Sequence, residues 1–201
     1  MRSLSWRWLL VLPVALALVL VASASRLQVF WWPEQVHDVT TGTLGEPLEL
    51  TDEWEDGDGG THRRDLTVTL LEVVPATEVQ GFAGPEPVDP VPGSAVWEVR
   101  LRFDVDPDVP LGGCQVALID TRDRESKAVG TTLGATSVPA PDCEPEGRRG
   151  PDYDGGRAEG EEPRPPTYEV SVPVVTDDDA EPETVRLWWE APDAVELSLR
   201  D

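Results

Sequence analysis

The sequence predicts an all-β protein, a two-sheet antiparallel β-sandwich of seven or eight strands preceded by one N-terminal helix. Apolar and polar residues alternate with a period of two in several short segments after Pro33. No sustained 3.6-residue apolar repeat, as a helix would need, follows Pro33. The one long apolar run of the chain, Trp8 to Ser25, lies near its N-terminus. An open barrel has the same strand period and remains the alternative closure.

The N-terminal run predicts an export element over residues 1–25. Eighteen uncharged residues lie between Arg7 and Arg26. As a helix they span about 27 Å, close to the thickness of a bilayer core, which favours an uncleaved signal anchor with its N-terminus in the cytoplasm. The small residues at the end of the run also fit a signal peptidase site, so a secreted, cleaved form is the alternative.

Aromatic residues follow the run and predict its position at a membrane surface. Phe30, Trp31 and Trp32 are adjacent in the chain. Aromatic rings beside a span are favoured at the headgroup level, and Arg7 and Arg26 place positive charge at the two ends of the run. We therefore predict a membrane interface at these five residues. The chain is then a single-pass cell-membrane protein whose main domain lies outside the cytoplasm.

The rest of the chain divides into a connector and one domain. Residues 26–46 contain the turn-forming and small residues typical of a connector. Residues 47–201 suffice for one domain, the predicted sandwich. They include residues 134–167, which are rich in Pro, Gly, Glu, Asp and Arg. Such a composition has too few apolar groups to offset the entropy of ordering it, so this segment is predicted to be a flexible insert.

The individual strands follow from the alternation. The clearest is Val96 to Val105, where every second residue from Trp97 is apolar and predicts a core face, while the charged residues between them predict a wet face. A change of parity after Leu70 predicts a β-bulge or burial on both sides. The predicted strands are Leu48 to Leu50, Leu66 to Val73, Val96 to Val105, Cys114 to Asp120, Lys127 to Leu133, Tyr168 to Val174, Val185 to Trp189 and Val195 to Leu199.

The two cysteines of the chain, Cys114 and Cys143, predict a disulfide. Their number is even, and an exported domain lies in a compartment that permits oxidation. Closing a loop of about 29 residues would stabilise the domain by roughly 3.5 kcal/mol in the chain-entropy model. The alternative is one buried thiol in the strand and one free thiol in a loop.

The order of these segments resembles a family of small extracytoplasmic bacterial domains of immunoglobulin-like, telokin-like fold and unknown function, which often carry a lipid or transmembrane anchor. The resemblance implies an immunoglobulin-like sandwich outside the cytoplasm. It supplies no catalytic residue and no cofactor. The matching segments are Gly45 to Leu50, Leu66 to Val73, Ala95 to Phe103, Val116 to Asp120, Tyr168 to Pro173 and Val185 to Trp189.

Charge and histidine content exclude two classes of function. The net charge is −23, and all 39 acidic residues follow Arg26. Such a domain repels nucleic acid, which is therefore not a partner. The only histidines are His37 and His62, and the chain has neither a Gly-x-Ser-x-Gly motif nor a His-x-x-x-His pair. We predict no catalytic residue, no metal ligand and no cofactor, and hence no enzyme.

Two acidic clusters raise calcium binding as an alternative function. Calcium takes six to eight oxygen ligands, often from acidic loops. The first cluster places Trp54 at the third position of an EF-hand loop, where a side-chain ligand is needed. The second cluster lacks the spacing of a calcium-binding loop. Solvated acidic turns are therefore the competing interpretation. The clusters are Asp52, Glu53, Glu55, Asp56 and Asp58, and Asp177, Asp178, Asp179 and Glu181.

The remaining interpretation is a non-catalytic binding module of the cell envelope. Immunoglobulin-like sandwiches commonly present recognition loops on a rigid frame. The adjacent Trp188 and Trp189 fall on opposite faces of their strand, so one of them is expected outside, as a contact residue, unless another layer covers it. The expected partner is an envelope protein or a wall polymer, with the membrane contacted through the N-terminal helix.

Overall fold

The computed structural model describes one helix and thirteen strands. The described residues are 6–26, 29, 31–32, 35–55, 59–81, 84–133, 136–138, 140–141, 143–153, 155–157 and 159–200. The helix is α1 (Trp6–Arg26). The strands are β1 (Asp38–Thr43), β2 (Leu48–Glu55), β3 (Thr61–Pro75), β4 (Glu78–Gly81), β5 (Gly84–Pro87), β6 (Ser94–Val105), β7 (Gln115–Asp120), β8 (Glu125–Lys127), β9 (Thr131–Leu133), β10 (Thr136–Val138), β11 (Thr167–Asp177), β12 (Pro182–Trp188) and β13 (Asp193–Ser198).

Helix α1 covers the apolar N-terminal run and has Arg26 in its last turn. Its side chains from Leu12 to Val21 are exposed. Within the described residues, however, no helix is both long enough and apolar enough to cross a membrane, in contrast to the predicted anchor. Of the predicted interface residues, Trp31 and Trp32 are about half exposed. Phe30 and the side chain of Arg7 lie outside the described residues.

Two sheets form the predicted β-sandwich. One has five strands in the order β1-β13-β12-β7-β8, and the other has four in the order β11-β6-β3-β2. Strand β1 pairs with β13 in parallel, whereas the other pairs of both sheets are antiparallel. The two sheets therefore contain nine described strands rather than the seven or eight predicted. Strand β1 is the addition, since its sequence Asp-Val-Thr-Thr-Gly-Thr shows no apolar alternation and lies in the predicted connector.

Two short hairpins, β4–β5 and β9–β10, lie outside the main sheets. Strands β4 and β5 have only four residues each and lie in a Pro- and Gly-rich stretch without alternation. The predicted strand from Lys127 to Leu133 is wrong as a single element. Its first residue, Lys127, ends β8, which pairs with β7, and its last three residues form β9, which pairs with β10. Residues 128–130 belong to neither strand, although the Ala128 N–H still donates to the carbonyl of Val116 on β7.

The core lies between the two sheets. Strand β6 contributes Val99, Leu101 and Phe103, each with no exposed surface, which confirms the inner face predicted from its alternation. Complete burial of such side chains contributes about 1.5–3 kcal/mol each. The predicted bulge is present in β3, where the pairing with β6 shifts between Leu70 and Glu72. The five-stranded sheet contributes the opposite side of this core, with Val116, Leu118, Val185, Leu187, Val195 and Leu197.

The outer face of the four-stranded sheet is polar, as predicted for the charged side of β6. Arg100 pairs with Glu72 on β3 and, at 3.5 Å, with Glu169 on β11. Arg102 donates to the same Glu169 at 2.8 Å. These cross-strand ion pairs connect three neighbouring strands on the solvent side, where each such pair contributes a fraction of a kcal/mol.

Candidate functional site

Two arginines with buried side chains define the most unusual part of the sandwich. Arg64 lies on β3 and Arg164 lies just before β11, and their exposed fractions are 0% and 1%. A buried charge is costly unless it is paired and hydrogen-bonded. Both side chains reach the loop between β6 and β7, residues 106–114, which we call the clamped loop.

The Arg64 guanidinium donates hydrogen bonds to three partners from different parts of the chain. Its Nη1 donates to Oδ2 of Asp52 on β2 at 2.5 Å, and its Nε donates to the carbonyl of Pro110 at 3.0 Å. Its Nη2 donates to the hydroxyl of Tyr153 at 3.3 Å. The buried charge thereby connects two strands, the clamped loop and the insert.

Aromatic rings enclose the same guanidinium. Its central carbon lies 4.7 Å from the ring centroid of Trp54 and 4.7 Å from that of Trp189. The Tyr153 ring lies 5.9 Å away, and His62 stacks on Trp54 with 5.2 Å between centroids. A desolvated cation–π contact is worth about 2 kcal/mol, and the planar guanidinium can stack on rings where an ammonium cannot.

Asp52 is held in an unfavourable environment for a carboxylate. Burial raises its pKa, and the nearby Arg64 opposes that effect. Asp193 and Glu190 raise the pKa further through charge repulsion. Within the described part of the chain, its second oxygen, Oδ1, is buried without a hydrogen-bond partner. The ionised state of Asp52 therefore depends on Arg64.

Arg164 fastens the insert to the clamped loop. Its Nη1 pairs with Glu144 at 3.0 Å, and its Nη2 donates to the carbonyls of Asp106 and Val109 at 2.9 and 2.6 Å. Gly150 packs so tightly here that an added Cβ would lie 2.6 Å from Nη1 of Arg164. A side chain at this position has no room.

Arg64, Arg164, Tyr153 and Trp189 together bind five backbone carbonyls of the clamped loop. In addition to the three bonds from Arg64 and Arg164 described above, Trp189 Nε1 donates to the carbonyl of Leu111 at 2.8 Å. The Tyr153 hydroxyl donates to the carbonyl of Gly112 at 2.7 Å. A loop whose carbonyls are fixed in this way needs little reorganisation before it contacts a partner.

The predicted disulfide is present and joins Cys114, the last residue of the clamped loop, to Cys143 in the insert. The two Cα atoms are 6.0 Å apart, and both residues are buried. The carbonyl of Cys143 also accepts a hydrogen bond from the Tyr168 hydroxyl at 2.8 Å. The described part of residues 134–167 is thus tied to the sandwich at Cys143, Tyr153 and Arg164, while its flexibility stays a prediction.

An open groove with a volume of about 730 Å³ lies beside the clamped loop. Its charged lining consists of four carboxylates and one arginine. Arg63 Nε donates to both oxygens of Asp65 at 2.9 and 2.8 Å, and the Thr51 hydroxyl donates to Asp65 at 2.7 Å. These bonds lower the pKa of Asp65. The other three carboxylates leave the groove with an excess of negative charge; they are Glu49, Asp104 and Asp106.

The first acidic cluster does not form a loop. Asp52, Glu53 and Glu55 lie on β2, so alternate side chains point to opposite faces, and Asp52 is buried against Arg64 while the two glutamates are exposed. Asp56 and Asp58 lie outside the described residues. Asp52 and the two glutamates therefore lie on opposite faces of the strand, whereas a metal ion would need its carboxylate ligands on the same face.

The second acidic cluster is occupied by arginines. Asp179 accepts from Arg122 at 2.7 Å and from Arg124 at 2.8 Å, and Asp177 accepts from Arg124 at 2.9 Å. The two hydrogen bonds lower the pKa of Asp179 from 3.8 to about 2. Within the described ranges of the chain, no group of three acidic, histidine or cysteine side chains is placed to hold a metal ion.

Trp188 and Trp189 lie on opposite faces, as predicted, and the outward one is covered by another layer rather than exposed. Both are buried, with exposed fractions of 9% and 7%. Trp188 is covered on the outer side of its sheet by Val36, from the segment before β1, and by Lys127, whose Nζ lies 5.2 Å from its ring. Trp189 follows the last residue of β12, continues its inward parity after Val185 and Leu187, and packs against Arg64 in the core.

The structure thus defines the chain as a two-sheet β-sandwich with a side-chain-clamped loop at one end. No family model matches the chain, and no curated protein matches it. Similar solved structures include MPT63, a secreted protein from Mycobacterium tuberculosis, with 14% identity, a TM-score of 0.42, and coverage of 79% of this chain and 96% of that one. Another is an uncharacterized β-sandwich protein from Clostridium difficile 630, with 10% identity, a TM-score of 0.41, and coverage of 83% and 97%.

Proposed function

We propose that the chain is an exported, non-catalytic binding module of the cell envelope. One observation carries the proposal: a loop with five captured carbonyls borders an open groove with an excess of carboxylates. A surface that is fixed before binding loses little conformational entropy when a partner arrives. Recognition residues are common on loops that a rigid scaffold positions.

Charge supports a partner with basic groups. The chain carries 39 acidic against 16 basic residues, and several of its arginines are already engaged in internal ion pairs. An acidic surface attracts cationic partners and discriminates against anionic ones through long-range repulsion. The proposed partner is therefore an envelope protein or wall polymer that carries positive charge.

We place the sandwich outside the cytoplasm, exported by the segment that contains α1. The charge-free run between Arg7 and Arg26 supports export. Cell fractionation with N-terminal sequencing tests this. A mature chain that begins at Ser25 indicates release, and an intact chain in the membrane fraction indicates a tether. A full-length chain in the cytoplasm would refute the proposed location.

The finer fold assignment, an immunoglobulin-like sandwich, is also part of this proposal. The parallel pairing of β1 with β13 supports it, together with the passage of the chain from β6 in one sheet to β7 in the other. A sandwich of this kind places its connecting loops in clusters at its two ends. The clamped loop would then belong to one such end.

Affinity capture tests the binding role. The full-length chain, in a mild non-ionic detergent, is used to capture partners from solubilised envelope fractions. Glu49→Lys changes an exposed groove carboxylate, and Asp178→Lys makes the same charge change in the turn between β11 and β12. Capture of a defined partner should be lost with Glu49→Lys and kept with Asp178→Lys. Equal capture by all three proteins would refute a role for the groove.

A further inference from the structure

Strand β2 is a free edge of the four-stranded sheet. It is the outer strand in the order β11-β6-β3-β2, and its eight residues pair with β3 without a register shift, from Leu48 opposite Val68 to Glu55 opposite Thr61. In the described part of the chain, no strand pairs with its other side. The outer side of an edge strand presents alternating N–H and C=O groups that a further strand can pair with.

The other three described edges of the two sheets are interrupted or short. Strand β11 contains Pro173, which lacks a backbone N–H. Strand β8 has only three residues. Strand β1 has six residues and includes Gly42, which weakens strand pairing. Strand β2 is eight residues long and contains neither Pro nor Gly, so its backbone is uninterrupted; its protection against edge pairing is its negative charge, which repels acidic strands but not basic ones.

The side chains of β2 specify what can pair there. Its outward positions are Glu49, Thr51, Glu53 and Glu55, and all four are exposed. A neighbouring strand places alternate side chains about 4.5–5.5 Å from these positions. Lysine or arginine at those alternate positions would meet three carboxylates, whereas acidic residues would be repelled.

We propose that β2 accepts an extended, cationic segment of a partner protein as an additional strand of the four-stranded sheet. This inference rests on the proposed binding function and assigns its surface and partner class. Backbone hydrogen bonds to the edge of β2 supply affinity, and the three glutamates select alternating basic side chains. The groove continues this surface, since Glu49 and Thr51 line it together with Asp104 and Asp106.

Charge excludes a second copy of the chain as the occupant. If β2 paired with β2 of another copy, each outward face would present Glu49, Glu53 and Glu55 to the same three carboxylates. Like charges directly opposite each other destabilise a strand pair. The edge therefore fits a different chain of opposite charge.

A synthetic peptide tests the proposal on the full-length chain. The probe is an eight-residue peptide of alternating lysine and valine with capped ends, measured by fluorescence anisotropy and by amide hydrogen exchange. We expect saturable binding and at least about ten-fold slower exchange of β2 amides. The variant Glu49→Lys/Glu53→Lys/Glu55→Lys should bind at least about ten-fold more weakly. The matched control, Glu159→Lys/Asp178→Lys/Glu181→Lys, has the same charge change at exposed loop positions and should differ from the wild type by less than about two-fold.

Backbone methylation separates strand pairing from simple charge attraction. Two further peptides are methylated at backbone nitrogens, one at every lysine and the other at every valine. Each keeps its charge but can no longer donate backbone hydrogen bonds along one edge. At least one of them should bind the wild-type chain about ten-fold more weakly. Absent binding, equal affinity of all three peptides, or unchanged exchange of β2 would overturn the proposal. These readouts are independent of cellular location and of envelope capture, so they can fail while the proposed function stands, and the reverse.

Discussion

Arg64 shows how a charged side chain can belong to a core. It shares the inward parity of β3 with Leu66, Val68 and Leu70, so its side chain must enter the sandwich. There, Asp52 neutralises its charge, and the flat guanidinium fits between two tryptophan rings. Sequence reasoning missed this residue, although a basic residue in phase with three apolar ones was the signal that could have indicated it.

Replacing Arg64 tests the buried pair. Arg64→Ala should lower the free energy of unfolding by about 3–5 kcal/mol at pH 7, because it leaves Asp52 buried without its partner. Chemical denaturation measures the change. The deficit should be smaller at pH 4, where the Asp52 carboxyl, whose pKa burial already raises, is protonated more readily.

The neighbouring arginine supplies the control for that experiment. Arg63 is well exposed and pairs with Asp65 on the outer face. Arg63→Ala should change the free energy of unfolding by less than about 1 kcal/mol, as is usual for exposed pairs. Equal effects of the two substitutions would contradict the role assigned to Arg64.

Gly150 tests the packing around Arg164. Gly150→Ala places a methyl group 2.6 Å from Nη1 of Arg164, whose guanidinium group as a whole is held by three hydrogen bonds. Overpacking of this kind costs about 1–3 kcal/mol. Thermal unfolding should show a lower Tm for this variant, whereas Gly112→Ala, where an added Cβ meets nothing within 4 Å, should unfold like the wild type. A Tm equal to that of the wild type for Gly150→Ala would contradict tight packing, because it would mean that the Arg164 side chain moves aside at little cost.

Acid should weaken the cluster around Asp179. The folded-state pKa of about 2 lies below the ordinary value of 3.8, because Arg122 and Arg124 donate to the carboxylate. Its stabilising contribution is therefore complete above about pH 4 and is lost as pH falls towards 2. Asp179→Asn should be less stable than the wild type at pH 6, and the difference should vanish near pH 2. Asp178→Asn, in the same turn, is the matched control, and its stability should differ little from that of the wild type at either pH.

At the scale of elements, alternation predicted best where a strand has one core face and one wet face. Strand β6 meets that condition over most of its length, and its predicted and observed bounds nearly coincide. Strands β1, β4 and β5 were missed because they are short, peripheral and rich in Thr, Gly or Pro. Burial does occur there, since Val79 of β4 packs with Val96 and Val138, but a single buried residue gives no alternation to detect.

The insert illustrates the complementary limit of composition. Its few apolar residues predicted little order, yet its described part is attached by a disulfide, a tyrosine hydroxyl and a buried arginine. Such contacts join residues that are distant in sequence, so no local pattern reveals them. The pairing of the two cysteines was predictable because only one pairing exists.

Removing the disulfide tests how the insert and the clamped loop depend on it. Cys114→Ala/Cys143→Ala should lower the free energy of unfolding by about 3.5 kcal/mol, since the unfolded chain regains the freedom of a loop of roughly 29 residues. Denaturation of the variant, compared with the oxidised wild type, measures this loss. Reduced wild-type protein should resemble the variant. A reduced protein as stable as the oxidised one would show that the disulfide does not stabilise the domain.

At the scale of the whole molecule, acidic charge and a regular free edge occur together on β2. The sandwich encloses its apolar residues, and its other described sheet edges are short or interrupted. Net charge and its sign were readable from composition, whereas the exposure of β2 required the strand order. A partner that is both extended and basic is the occupant that fits these two properties.

Photo-crosslinking inside the cells that make the protein shows whether β2 contacts a basic segment of a partner. A photoreactive amino acid replaces Thr51 on β2 in one variant and Asp178 in another. We expect a cross-linked partner from Thr51 but not from Asp178, with the attachment site in a segment rich in lysine or arginine. No cross-link from Thr51, or the same products from both positions, would contradict such a contact.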